Sequence, residues 1–201
     1  MPTAPLAEAA PTHLLVLVGL PGSGKSTVGR QLARRLGVAF IDSDQVIEQR
    51  IGCSIRAFFD REGEENFRDL EESVMDELTA APEAAVLSTG GGAVLRPANR
   101  QCLHERGTVV YLRSSPEEVF RRIRHDKTRP LLQVANPLEQ LRKLYAQRDP
   151  LYRETAHYVV ETGRPSVATL VNMITMQLEL SGRVVPEAPA LQDASFMSET
   201  D

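Results

Sequence analysis

Tryptophan is absent from this 201-residue chain, and cysteine occurs only twice, as Cys53 and Cys102. Two thiols cannot build a disulfide scaffold, so the sequence points to a reducing compartment and a fold held by packing alone. No apolar run approaches the about 20 residues that a membrane helix needs, the longest being Leu14 to Leu20. The first 24 residues contain no Lys or Arg, so neither a signal nor a transit peptide is expected, and the expected location is the cytoplasm. A strongly basic balance is missing too. With Lys+Arg at 23 against Asp+Glu at 27, and aromatics at 5%, the chain lacks the charge and the stacking platforms of a general nucleic-acid binder. Neither nucleic acid nor membrane is expected as a partner.

What is present is ordinary for a globular protein: 42% apolar and 25% charged residues exclude a collagenous chain or one disordered throughout. The length suits one domain with trimmings. Residues 1–12 are rich in Ala and Pro, and residues 182–201 carry one Arg against four acids. Neither end has an apolar period, so both read as flexible tails around a single domain at 13–181. Within it, short apolar runs alternate with longer segments of helical period, the pattern of a parallel sheet with crossover helices in the α/β class. The strand candidates are Leu14 to Val18, Ala39 to Ile41, Ala85 to Leu87, Val109 to Leu112 and Tyr158 to Val160. Helices are predicted near 25–36, 64–80, 97–105, 137–147 and 166–180. A further one starts near Ser115, where Ser115, Pro116 and Glu118 compose a capping box.

The first strand runs into Gly19-Leu20-Pro21-Gly22-Ser23-Gly24-Lys25-Ser26-Thr27, which fits G-x-x-x-x-G-K-[ST] in its strand-to-helix setting. Glycines there let backbone N–H groups turn inward around phosphate oxygens, and the helix adds the positive end of its dipole. Lys25 is placed for the β- and γ-phosphates and the Ser26 hydroxyl for Mg²⁺. Asp60-Arg61-Glu62-Gly63 imitates a GTPase D-x-x-G, but no N-K-x-D occurs in the chain. Val74-Met75-Asp76-Glu77 imitates an acidic strand end, yet Phe67, Leu70, Val74 and Leu78 recur at helical spacing, so Asp76 and Glu77 read as solvated. The strand that ends in Ser88-Thr89-Gly90-Gly91-Gly92 carries no acid, so support for a metal must come from elsewhere.

Asp42 and Asp44 stand at the end of the second strand, where ligands of open α/β sheets gather. If Asp42 faces the metal waters, period-two alternation sends Asp44 the same way, toward a substrate hydroxyl; alternatively Asp44 caps a helix. Arg68 and Glu71 are three apart on a helix: either an exposed pair without further meaning, or a buried one that aims the guanidinium at a carboxylate. Gly90 to Gly92 is either a loose turn or a place where backbone closely approaches a ligand. Residues 42–83 hold 13 acids against 4 bases, whereas 101–165 hold 12 bases against 8 acids. Within the second stretch, Arg121 to Arg129 followed by Pro130-Leu131-Leu132 has the make-up of a mobile basic flap over transferring phosphates.

These pieces together resemble shikimate kinase, of the nucleoside-monophosphate-kinase-like group, over roughly residues 13–180. The resemblance rests on Gly19 to Thr27, Asp42-Ser43-Asp44, Gly63-Glu64 with Phe67-Arg68 and Glu71, Ser88 to Gly92, Arg129 to Leu132, and Arg148-Asp149-Pro150-Leu151-Tyr152. It implies a three-layer P-loop NTPase fold with a five-stranded parallel sheet of order 2-3-1-4-5 and a mobile lid at about 121–135. It also implies a shikimate-binding region at about 42–80 and transfer of the γ-phosphoryl of ATP to the 3-hydroxyl of shikimate. By the same resemblance Lys25, Asp44 and Arg129 are catalytic, and Gly22, Ser23, Gly24, Lys25, Ser26, Thr27, Arg122, Arg129 and Pro165 bind ATP, Arg122 and Pro165 sandwiching adenine. Asp44, Phe59, Phe67, Arg68, Glu71, Gly90, Gly91, Gly92 and Arg148 form the shikimate site, with Arg68 and Arg148 on the carboxylate. Mg²⁺ is the implied cofactor, held by Ser26 and, through water, Asp42; ATP and shikimate are the partners of a monomer. Between Arg122 and Arg129 the residues are bulkier and more charged than is usual for such a flap. The rivals are another small-molecule kinase of the same fold, such as a gluconate kinase, and an ATP-binding regulatory protein without turnover.

Overall fold

The computed structural model describes residues 14–125 and 134–183. Five strands, β1 (Leu14–Val18), β2 (Ala39–Asp42), β3 (Ala85–Ser88), β4 (Thr108–Arg113) and β5 (Tyr158–Glu161), form one sheet in the order β2-β3-β1-β4-β5. Every pairing is parallel. The expected strands and their order are borne out, each strand matching to within a residue at either end.

Helices fill the intervals: α1 (Lys25–Leu36), α2 (Ser43–Ile51), α3 (Ile55–Ala80), α4 (Pro97–Arg106), α5 (Pro116–Ile123), α6 (Pro137–Thr155) and α7 (Val167–Leu180). Parallel strands bury both faces, which is why β1 is apolar throughout. One face carries Leu15 and Leu17 against Val28 and Leu32 of α1 and Leu170 and Ile174 of α7. Against the other face, Leu14, Val16 and Val18 pack with Ile47 of α2, Val74 of α3, Leu103 of α4 and Leu141 of α6. Three layers result. Each fully buried Val or Leu in them is worth roughly 1.5–3 kcal/mol of transfer free energy.

Three helices differ from the sequence expectation. Between α1 and α3, the chain forms α2 from Ser43 onward, capped by Asp42, whose side chain accepts the Asp44 N–H. Asp44 is therefore not the cap, and its direction follows the helix rather than strand alternation. The helix expected from 64 begins at Ile55 and passes a break at Gly63 (φ 83°, ψ 171°), a conformation open essentially to glycine alone. That break is what the sequence hid, because Gly63 read as a terminus. Helix α6 runs through Pro150 to Thr155 instead of stopping near 147, since Tyr152 and Thr155 are buried beyond the proline. The capping box at Ser115 and Glu118 is present as expected.

All strands point their carboxyl ends the same way, and the register sets Asp42 beside Ser88 and Leu17 beside Ser88. The phosphate loop, Asp42 and Gly90–Gly92 thus leave from one edge. The order reverses around β1, and ligands of open α/β sheets bind at such a switch point.

Candidate active site

The loop after β1 is held open by its backbone. Gly22 and Gly24 have φ of 84° and 100°, which L residues rarely adopt. Its cation is buried: Lys25 Nζ donates to the carbonyls of Gly19 at 2.8 Å and Leu20 at 2.9 Å. Ser23 is buried, its Oγ without a hydrogen-bond partner among the described residues. Ser26 follows at the start of α1, and its Oγ donates to Asp42 Oδ2 at 3.0 Å. Asp42 thus serves two neighbours at once, capping α2 through Oδ1 and receiving Ser26 through Oδ2. Thr27 lies in the first turn of α1 and is exposed.

Asp44 sits in the first turn of α2 among other acids. Burial, together with the charge of Asp42, pushes its carboxyl from 3.8 up to about 6, while the Lys25 cation works against this. Glu71 and Glu48 push in the same direction as Asp42. Such a group is ionised at neutral pH yet basic enough to take a proton.

Arg68 and Glu71 settle the open alternative: the pair is buried, at 9% and 1% exposure, with Nη1 donating to Oε2 at 2.5 Å. Glu64, one turn earlier, receives the same guanidinium at 3.3 Å. The cation also lies over Phe59 and Phe67, 5.8 and 5.2 Å from their centroids, and those rings pack on each other at 4.5 Å. Burial pushes the Glu71 carboxyl up, and Arg68 and then Arg148 draw it back. Two guanidinium groups therefore converge on one buried carboxylate. Arg148 Nε is buried with no hydrogen-bond acceptor among the described residues, a donor open to an acceptor that those residues do not supply.

The neighbour of Arg148 on α6 is firmly held. Asp149 receives the Tyr111 hydroxyl at 2.9 Å and Arg153 Nε at 2.8 Å. Burial raises the Asp149 carboxyl, but these bonds outweigh it and leave it below the usual range. Asp149, the residue after Arg148, thus ties α6 to β4 through Tyr111.

Gly90 to Gly92 is a tight strap, not a loose turn, and the close approach it makes is to protein side chains. A Cβ on Gly90 would stand 2.5 Å from Asp44 Oδ1, one on Gly91 2.7 Å from Pro21, and one on Gly92 2.6 Å from Arg68 Nη1. Three glycines are needed because phosphate loop, acid and guanidinium press on the same backbone. Two contacts here escaped the sequence reading. The Ser43 Oγ accepts the Gly90 N–H at 3.0 Å, and the Tyr152 hydroxyl donates to the Gly91 carbonyl at 2.6 Å. The available signals were a serine between two acids and a tyrosine four residues, about one turn, beyond Arg148.

Arg122 lies in the last turn of α5 and donates to the carbonyls of Ser23 and Thr162 and to the hydroxyls of Ser114 and Thr162. Pro165 sits in the loop that follows β5, near Thr162 in sequence. Ile123 is buried beside Gly22, so the beginning of the expected flap is built into the core. Arg129, Pro130, Leu131 and Leu132 lie outside the described residues.

A metal would find hard oxygen donors here: Ser26 Oγ and Asp42, already within hydrogen-bonding distance of each other. No cluster of three or more His, Cys, Asp or Glu exists among the described residues. The oxygen pair of Ser26 and Asp42 is of the chemistry that Mg²⁺ takes, an ion that relies on few protein ligands besides phosphates and water.

The comparisons with known proteins agree. The shikimate kinase family pattern matches residues 21–179. The chain is 67% identical over 175 residues to a shikimate kinase of Paracidovorax citrulli (strain AAC00-1), covering 86% of this chain and 95% of that one. It is 59% identical over 171 residues to a shikimate kinase of Ralstonia nicotianae (strain ATCC BAA-1114 / GMI1000), covering 85% and 90%. Among solved structures, shikimate kinase from Acinetobacter baumannii in complex with shikimate shares 48% identity at a TM-score of 0.78, covering 85% of this chain and 94% of that one. Shikimate kinase from Aquifex aeolicus shares 36% at a TM-score of 0.72, covering 84% and 98%. With phosphate loop, paired acids and glycine strap at one end of the sheet and a family match over most of its length, the chain belongs to the shikimate kinase family.

Proposed function

We propose that the chain transfers the γ-phosphoryl group of ATP to the 3-hydroxyl of shikimate, a step toward the aromatic amino acids. The observation that carries this is the convergence of Arg68 and Arg148 on Glu71, beside a glycine strap against which both Arg68 and Asp44 press. An organic anion held by two planar guanidinium groups would bring a hydroxyl to Asp44 and, beyond it, to the phosphate loop.

Little covalent chemistry is asked of the protein; its work is positioning and charge neutralisation. The 3-hydroxyl oxygen bonds to the γ-phosphorus while the bond to the β–γ bridging oxygen breaks, and the hydroxyl proton passes to the Asp44 carboxylate. Backbone N–H groups from Gly22 to Thr27 and the Lys25 cation neutralise charge on the phosphates. Ser26 and, through water, Asp42 would hold Mg²⁺, which would supply electrostatic neutralisation of the phosphate oxygens. Phe59 and Phe67 fix Arg68 and border the ring of the substrate, and Glu71 aligns both arginines. Arg122 and Pro165 flank the adenine, with Arg122 set rigidly by Thr162 and Ser114. Arg129, which lies outside the described residues, is assigned to the phosphates by the family resemblance alone. We read 13–181 as one domain between two tails, acting as a cytoplasmic monomer; among the described residues no helix is long and apolar enough to cross a membrane.

A coupled ADP-release assay tests this. ADP should appear with shikimate and Mg·ATP and stay at background with gluconate or no acceptor, and phosphorus NMR should place the new ester on the 3-hydroxyl. Equal turnover of gluconate, or no response to any acceptor, would refute the reading.

A further inference from the structure

Neither Ser43 nor Tyr152 has a part in the chemistry just described, yet both are wholly buried, at 0% exposure. Each ends on the same short stretch of backbone, Ser43 on the Gly90 N–H and Tyr152 on the Gly91 carbonyl. Ser43 stands between Asp42 and Asp44 in the first turn of α2. Tyr152 stands about one turn beyond Arg148 on α6. The strap between them has no slack of its own: Gly90 abuts Asp44, Gly91 abuts Pro21, and Gly92 abuts Arg68.

We propose that Ser43 and Tyr152 are positioning residues that fasten the Gly90–Gly92 strap to α2 and α6 and so set the separation of Asp44 from Arg148. This rests on the functional reading above. Two hydrogen bonds from two different helices fix one backbone segment, and the helix behind each bond carries a substrate-binding group. Loss of either leaves a strap group without its partner and frees the segment to shift against Asp44 or Arg68. Burial pushes the Tyr152 hydroxyl up to about 12, with the neighbouring Arg148 cation opposing, so the donor persists throughout the working pH range. Tyr111, packed at 5.0 Å against the Tyr152 ring with the planes tilted by 33°, keeps the ring in place when the hydroxyl is removed.

Steady-state kinetics of Tyr152→Phe, Ser43→Ala and the double variant in the full chain test this. For Tyr152→Phe, KM for shikimate should rise about tenfold, the effect of one buried hydrogen bond, with KM for ATP and kcat within about threefold. For Ser43→Ala, kcat should fall about fivefold, because Gly90 presses on Asp44. The loss of kcat/KM for shikimate in the double variant should be smaller than the product of the single losses, since both residues act through one strap. Single variants within twofold of wild type, equal changes in both KM values, or strictly multiplicative losses would overturn the proposal. Should Ser43→Ala fail to fold, Tyr152→Phe alone decides it by the split between the two KM values. A wild-type chain that ignores shikimate would overturn the functional reading and this proposal together; an active wild type with unaffected variants overturns this proposal alone.

Discussion

Asp44 has two opposed demands on it, and both can be measured. Its carboxyl titrates near 6 in the folded chain against an ordinary 3.8. Between those values the folded chain holds a proton that the unfolded chain has released, so this group's contribution to stability falls as pH rises from about 4 to about 6, and the penalty is complete above. Asp44→Asn should therefore gain roughly 2 kcal/mol in urea unfolding at pH 7.5, a gain that disappears below about pH 4, while kcat drops about 10²–10⁴-fold. A variant destabilised at pH 7.5 would contradict the assigned environment. Lys25→Ala should cost about 10²–10³-fold in kcat; retained turnover would remove Lys25 from the reaction. For Arg68→Lys, shikimate titration should show affinity at least tenfold weaker, with ATP affinity little changed, because an ammonium cannot make the planar two-point contact. The identity of these residues was readable from motif and spacing. Their environment was not: the sequence could not say whether Arg68 and Glu71 met solvent or each other, since i,i+3 spacing is common to both cases.

At the scale of elements, the sheet was nearly complete in the sequence because buried parallel strands are short apolar runs bounded by Gly, Ser and Asp. Helices α2 and α3 were not, since the apolar spacing of 55–62 is weak and Gly63 looks like an end. What joins the two halves of α3 is tertiary: Phe58 and Phe59, before the break, pack on Phe67 after it, at 6.4 and 4.5 Å. A Cβ on Gly63 would meet nothing within 4 Å, so Gly63→Ala isolates the backbone cost. It should destabilise the chain by about 1–3 kcal/mol in denaturant melts. It should also weaken shikimate binding more than ATP binding, because Phe59 would turn away from Arg68. An unchanged melt would mean that the break is not held by the glycine.

For the whole molecule, the sheet divides labour between its two edges. The carboxyl edge carries the chemistry, while at the opposite edge His104 and His157 stack at 4.1 Å, and His157 Nδ1 accepts the Val109 N–H. Burial, then the charges of Arg183 and His104, lowers His157 from 6.5 to about 4. The unfolded chain binds the proton first, so stability from the neutral ring is complete above about pH 6.5 and is lost as pH falls toward 4. His157 and Asp44 thus tilt the pH–stability curve in opposite directions between about 4 and 6. Wild type should lose about 1 kcal/mol more than His157→Asn between pH 7 and 5, the figure reduced for partial solvent access. No sequence pattern announced this pair, because the two histidines meet only once α4 and the segment before β5 are packed together.

The central claim is that a carboxylate held by Arg68 and Arg148 brings a hydroxyl to Asp44, and the comparison of shikimate with its methyl ester tests it most directly. Wild type should show kcat/KM for the acid at least a hundredfold above that for the ester, and Arg148→Ala should shrink that ratio to near unity by losing the acid, not by gaining the ester. A wild type that turns over ester and acid alike, or an Arg148→Ala chain that keeps the full preference, would contradict the account.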